Sequence, residues 1–202
     1  MQIDRPMREF LDGLSAKKPT PGGGSVAALA GVLGTSLMSM VGNYTIGNKH
    51  YIKDEQRVAT ILLKLEKLSG DFAVLVDRDI DSYAKLSESI KAHKDNSAAT
   101  QMAYTTAVEP PIETCSKAHE ALALCGELID IGNKNLITDT AIAAMMLVAA
   151  FYSSKFNVMI NMRSIKDNTL KMTTMQAIQK QQADIDRMKN EILKKIDIAL
   201  EV

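Results

Sequence analysis

Between Ser25 and Gly47 the chain runs for more than 20 residues without a charge, and nothing else in the sequence restricts the fold as strongly. A run of that length has two destinations. One is a bilayer, whose core takes about 20 apolar residues as a helix. The other is the interior of a helical bundle. Its content favours the bundle. Gly31, Gly34 and Gly42 mix with Ser25, Thr35, Ser36, Ser39, Asn43, Tyr44 and Thr45, whereas a lone span carries a more continuous load of Leu, Ile, Val and Phe. No second span is expected that would bury those hydroxyls. The segment reads as a buried, uncharged central helix whose small residues let backbones approach.

The rest of the chain reads as helices too. Aromatic residues make up 4% and Trp is absent, while Ala, Leu, Ile and Met abound, a composition that suits helices better than strands. Met7, Phe10, Leu11 and Leu14 recur at helical spacing over residues 4 to 16, with Asp4 as the expected N-cap and Pro6 in the first turn. Pro19 and Pro21 stop that helix, and Ser25 is expected to cap the uncharged one. A third helix is expected from Asp54 to about His93, with Gly70 inside it, then a turn at Lys94–Ser97. A fourth runs from about Ser97 to Ile131, and Pro110-Pro111 should kink or split it. Gly132 is the expected residue after its C-terminus, and Thr138 or Asp139 the cap of a fifth helix reaching about Arg163. A last helix starts at Asp167-Asn168, with one stripe of Met175, Ile178, Gln182, Ile185, Met188, Ile192 and Ile196 for docking on the bundle or on a partner chain. The expected fold is all-α, one domain over residues 1–202, a bundle of about five or six helices. The segments 25–47 and 140–152 are hard to cover in so small a bundle, so a homodimer is expected to pack them together.

Charge narrows the partners. Acidic and basic residues number 24 each, so no net field favours nucleic acid or an anionic membrane. Cys115 and Cys125 would lie about 15 Å apart on one helix, too far for a disulfide, and lack the spacing of a metal site. Buried, reduced thiols in a cytoplasmic protein are expected, as is the absence of a signal peptide, since MQIDRPMREFLDG has early acids and no apolar run.

Five segments offer chemistry. Pro19-Thr-Pro21-Gly22-Gly23-Gly24-Ser25 would present backbone N–H groups at a positive helix end, suited to an anion, or would simply connect two closely packed helices. Asn43 to Tyr51 gathers polar groups after the apolar run, with Lys49 able to meet a carboxylate. His50 there reads as an ordinary helix-end cation, and His93 and His119 as surface or packing residues. In Gly132-Asn133-Lys134-Asn135-Leu-Ile-Thr-Asp139, Asp139 is an N-cap or a buried general acid/base. Asp77, Asp79 and Asp81 share a helix, and Asp77 and Asp81 repel at one face, so one could stay protonated near neutrality, or all could simply be solvated. Asn157 and Asn161, four apart, could hold a heterocycle or bridge helices.

Taken together, PTPGGGSVAALAG at 19–31, MVGNYTIGNKHY at 40–51, FLDGL at 10–14, Asp79–Tyr83, Gly132–Asp139 and Asn157–Asn161 resemble, in order and over the whole chain, the cyclodeaminase domain of formiminotransferase-cyclodeaminase and, more closely, stand-alone methenyltetrahydrofolate cyclohydrolases. Thr138 stands where that family more often has Ser, and Asn48 where it more often has Lys. The resemblance implies a homodimer that binds a tetrahydrofolate derivative near the subunit interface, with no metal and no cofactor beyond the folate itself. It implies hydrolysis of methenyl- to formyltetrahydrofolate, or closure of formiminotetrahydrofolate to the methenyl form with release of ammonia. A chain without a formiminotransferase domain favours the first, and a helical protein that binds folate without turnover is the non-enzyme alternative. In the site so implied, the pterin lies between the glycine segment and the 132–139 loop. Asp139 or Asp81 moves protons. Asn133, Asn157 and Asn161 orient the ring or water. Lys49 and the Gly22–Ser25 amides receive carboxylate or oxyanion. Pro21, Asn43, Tyr51 and Asn135 complete the lining.

Overall fold

The structure is a computed structural model that describes residues 1–92 and 97–201. It is all-helical, with six α-helices and no strand among the described residues. A 3-10 turn at Gln2–Asp4 precedes α1 (Met7–Ser15), followed by α2 (Gly23–Asn43), α3 (Glu55–Ala92) and α4 (Ala98–Ile131). A second 3-10 turn, Lys134–Leu136, leads into α5 (Ile137–Ser164), and α6 (Asn168–Leu200) ends the chain. His93 and most of the turn expected at Lys94–Ser97 lie outside the described residues.

Helices α2, α3, α4 and α5 form the body. Each packs on the next around a square, α2 on α3, α3 on α4, α4 on α5 and α5 back on α2, while α2 and α4 meet more sparingly across it. The glycines of α2 set its distances. A Cβ on Gly31 would lie 2.5 Å from the Phe72 ring, and one on Gly42 would lie 2.7 Å from Leu62, so these two admit α3. On Gly34 it would lie 2.9 Å from Leu147 of α5. The inner faces close over Met38, Val41, Leu65, Leu68, Phe72, Leu122, Leu128, Leu147 and Phe151, all at most 2% exposed.

α2 thus occupies a corner of the square, and one stripe of it faces outward within the single chain. Val26 and Leu33 are 38% and 47% exposed, Ser36 and Asn43 are exposed, and Met40 is half-buried. α2 and the segment Lys134–Ser164 are both long and apolar enough to cross a membrane by length and composition, with 50% and 44% of their most apolar windows buried in the chain. The second such segment was not expected as a span, because the uncharged run read at 140–152 is shorter than the roughly 20 residues a span needs.

α6 docks through its apolar stripe on α4 and α5 of its own chain, burying Ile178, Ile185, Ile192 and Ile196. Each contributes about 1.5–3 kcal/mol by leaving water. Tyr152 Oη ties it further, donating to the Asp186 carboxylate at 2.7 Å.

Several helix ends differ from expectation. α1 begins after Pro6, because Asp4 closes the preceding 3-10 turn. Gly22, not Ser25, is the N-cap of α2; Ser25 sits three residues in, where its Oγ accepts from Gly22 N–H at 3.0 Å and donates to Gly22 O at 2.9 Å. Leu136 precedes α5, so neither Thr138 nor Asp139 caps it; Asn133 instead caps the 3-10 turn. Gly132 after α4 is not left-handed (φ −80°), and what it supplies is space, since a Cβ there would lie 2.6 Å from Leu128 O. α4 continues as one helix through Pro110-Pro111 and does not split. Cys115 and Cys125 are free and buried, and burial pushes both thiols up to about 12.

Candidate functional site

Polar groups gather at both ends of α2, in different ways. At the N-terminus, the chain turns through Gly22 in extended conformation, and the first amides of the helix have no helical carbonyl to meet. Asp79 of α3 comes in against them. A Cβ on Gly24 would lie 2.0 Å from Asp79 Oδ1, so only glycine leaves room for the carboxyl group. The backbone N–H of Ser25 donates to Asp79. Burial raises Asp79 to about 6, against the partial lowering by that hydrogen bond. From the other side α5 brings Asn157, whose Oδ1 lies 3.8 Å from where a Gly23 Cβ would stand, and whose Nδ2 donates to Ser153 O at 3.0 Å. Asn161, one turn later, donates through Nδ2 to Ala107 O of α4 at 3.2 Å.

A carboxyl group poised near neutral pH, a carboxamide and a set of helix-end amides can together move a proton and steady a developing negative charge. Asp81 is not part of this group; it is exposed on the same helix, and Asp77 accepts from the Gln2 N–H at 3.0 Å. The sequence signal for Asp79 was available. Leu68, Phe72, Leu75, Ser82 and Leu86 follow the buried stripe of α3 at steps of three and four, and Asp79 fills the gap between Leu75 and Ser82. A carboxylate in core register is the anomaly, while Asp77 and Asp81 fall off the stripe.

At the other end of α2, Thr45 Oγ1 donates to Val41 O at 2.7 Å and accepts the Asn133 N–H at 2.9 Å. Asn133 Nδ2 donates to Tyr44 O, and its Oδ1 accepts the Asn135 N–H. Tyr51 Oη accepts the Lys134 N–H at 2.9 Å. These polar atoms hold the 44–54 loop to the 132–136 turn. Asn43, Lys49 and Asn135 are exposed there, and Asp139 is half-buried in the first turn of α5. Beside this end an open, largely apolar groove of ≈ 1020 Å³ runs between α2 and α3, lined by Ser36, Met40, Asn43, Leu62, Leu63 and Glu66 among others.

The two ends do not meet within one chain. Gly23 and Asn43 close a helix about 30 Å long, and Asp139 and Asn157 are about 27 Å apart along α5. A pocket bounded in one chain by both the glycine segment and the 132–139 loop is therefore ruled out. Pro21 to Ser25, Asn157 and Asn161 lie at one end; Asn43, Lys49, Tyr51, Asn133, Asn135 and Asp139 lie at the other. Among the described residues, no group of three His, Cys, Asp or Glu is arranged to hold a metal ion.

Comparison with known proteins adds the family. Residues 6–180 match the family described as formiminotransferase-cyclodeaminase. A methenyltetrahydrofolate cyclohydrolase of Methylorubrum extorquens is 32% identical over 78% of this chain and 79% of its own. The formimidoyltransferase-cyclodeaminase of Mus musculus is 29% identical over 85% of this chain, which spans only 33% of that longer protein. The crystal structure of a formiminotetrahydrofolate cyclodeaminase from Thermotoga maritima superposes with a TM-score of 0.94, at 27% identity, over 99% of this chain and 100% of that one.

Proposed function

The chain belongs to the formiminotransferase-cyclodeaminase family, and on that premise we propose that this enzyme hydrolyses methenyltetrahydrofolate to formyltetrahydrofolate. The observation that carries the chemistry is Asp79, a carboxyl group raised to about 6 at the glycine turn. As carboxylate it takes a proton from the water that attacks the bridging carbon. As acid it returns that proton to the folate nitrogen that leaves, while the hydroxyl on the tetrahedral carbon gives its proton to solvent and becomes the formyl oxygen. Asp79 thus takes the role that the sequence offered to Asp81. The Gly23 and Gly24 amides and Asn157 orient the attacking water and the ring. Nothing in this step calls for a metal or a redox group.

The remaining residues enter from a second copy. The outward stripe of α2 is uncharged along its whole length, from Val26 through Leu33 and Ser36 to Met40. Packed antiparallel on the same stripe of a partner, it sets the glycine turn of one subunit beside the Asn43–Tyr51 loop of the other. Lys49 and Asp139 then face the Asp79 end across the interface. Lys49 meets the glutamate tail, and Asp139 is a second proton carrier. Leu63, 69% exposed, borders the same face and would be covered with it.

A second reading, formiminotetrahydrofolate cyclodeaminase, draws on the Thermotoga protein, whose whole chain is matched and which carries that name. Chain length therefore does not separate the two activities. Both pass through one tetrahedral carbon, and the same carboxyl group serves either. A paired assay of the purified protein decides: decay of methenyltetrahydrofolate absorbance above the buffer rate is the expected result, and ammonia release from formiminotetrahydrofolate without that decay selects the second reading.

A further inference from the structure

We infer that Asn161 is a positioning residue: its side-chain amide replaces the backbone N–H that Pro111 lacks, and so holds Asn157 against the glycine turn. α4 continues through two prolines, and each removes the donor that would meet the carbonyl four residues earlier. Pro110 frees the carbonyl of Thr106, an exposed residue where water can reach. Pro111 frees that of Ala107, which is 4% exposed. A buried carbonyl without a partner is costly, so its hydrogen bond must come from elsewhere. It comes from α5: Asn161 Nδ2 donates to Ala107 O at 3.2 Å.

Asn157 stands one turn before Asn161, on the same side of α5. Its own amide faces Gly23 at the mouth of the proposed site. The Asn161 contact therefore fixes the roll of α5 about its axis at the turn where Asn157 projects. The proline pair thus gives α4 an acceptor that only a neighbouring helix can satisfy, and α5 is aligned by satisfying it. The inference rests on the proposed function only for what Asn157 then does to substrate.

The test is a cycle of Asn161→Ala, Pro111→Ala and the double variant in the full chain. Alone, Asn161→Ala should lower Tm by about 5 °C, the effect of one unsatisfied buried carbonyl. In the Pro111→Ala background, where α4 supplies its own donor, the same change should cost less than half as much. The side-chain amide resonances of Asn157 should shift in Asn161→Ala and stay shifted in the double variant, where α4 satisfies its own carbonyl but α5 has lost its tie to it, and turnover of methenyltetrahydrofolate should be depressed in both. Equal Tm losses in both backgrounds would overturn the inference, as would an unmoved Asn157 resonance. An Asn157 resonance and a turnover that both return in the double variant would show that the Asn161 contact does not hold Asn157, which also overturns it. Should Asn161→Ala not fold alone, recovery on adding Pro111→Ala carries the inference and no recovery sinks it. A wild-type protein without turnover on either folate defeats the proposed function, and the Tm and resonance readings still decide this point.

Discussion

The two ends of α2 differ in how their polar atoms are spent. At the C-terminal end Thr45, Asn133, Tyr51 and Lys134 satisfy one another, and the result is a fastened loop. At the N-terminal end Asp79 has been carried into the bundle with a single backbone donor, and the result is a carboxyl group displaced from its ordinary range. Closed hydrogen-bond networks build architecture, whereas an under-satisfied group held in place costs stability and can do chemistry. On this account the first end presents Asn43, Lys49 and Asp139 to a partner, and the second performs the proton transfer.

The sharpest way to break that contrast is at Asp79. Asp79→Asn should cut turnover by about 10²-fold or more, and a normal rate in the folded variant would move the acid/base role elsewhere. Gly24→Ala should cost about tenfold or more in turnover, because its Cβ falls 2.0 Å from Asp79 Oδ1 and pushes the carboxyl group aside. A high-activity Gly24→Ala enzyme would show that the carboxyl position is immaterial.

The pH dependence sharpens the contrast further. With Asp79 raised from 3.8 to about 6, its protonated form is the one the fold favours. The stability it contributes is fully present below pH 3.8 and is lost as pH rises through 6, by up to about 3 kcal/mol. Asp79→Asn should therefore raise Tm above pH 7 and bring little change near pH 4, while wild-type kcat/KM rises through about pH 6. Tm profiles that stay parallel at all pH values would remove the displaced carboxyl group from the account. The smallest effect belongs to the fastened end. Tyr51→Phe deletes the acceptor for Lys134 N–H and should cost about 0.5–1.5 kcal/mol by denaturant unfolding, with turnover within a few-fold of wild type. A collapse of turnover there would place Tyr51 on the substrate.

Much of the fold was legible, for physical reasons that apply residue by residue. The stripe of α6 announced its buried face because Ile178, Ile185 and Ile192 repeat at seven. Gly31, Gly34 and Gly42 announced close helix packing, and each meets a side chain of a neighbouring helix. The caps were less legible: Ser25 and Asp139 look like N-caps in sequence, but loop geometry placed both inside the first turn. The glycine segment and Asn157 were found as site candidates because their residue types are unusual where they stand. Asp79 was obscured by Asp77 and Asp81, and only its register on α3 sets it apart. That the two polar segments lie at opposite ends of α2 was not legible at all, because motif order along a chain carries no direction in space.

The central claim is that one working site takes Asp79 from one subunit and the Lys49–Asp139 end from its partner. Heterodimers isolated through two tags, one subunit carrying Asp79→Asn and the other Lys49→Ala with Asp139→Asn, test it directly. Each parent homodimer should be inactive, and the heterodimer, with one intact site, should recover about half of wild-type turnover. A heterodimer as inactive as its parents, or a fully active Lys49→Ala/Asp139→Asn parent, would contradict the shared site.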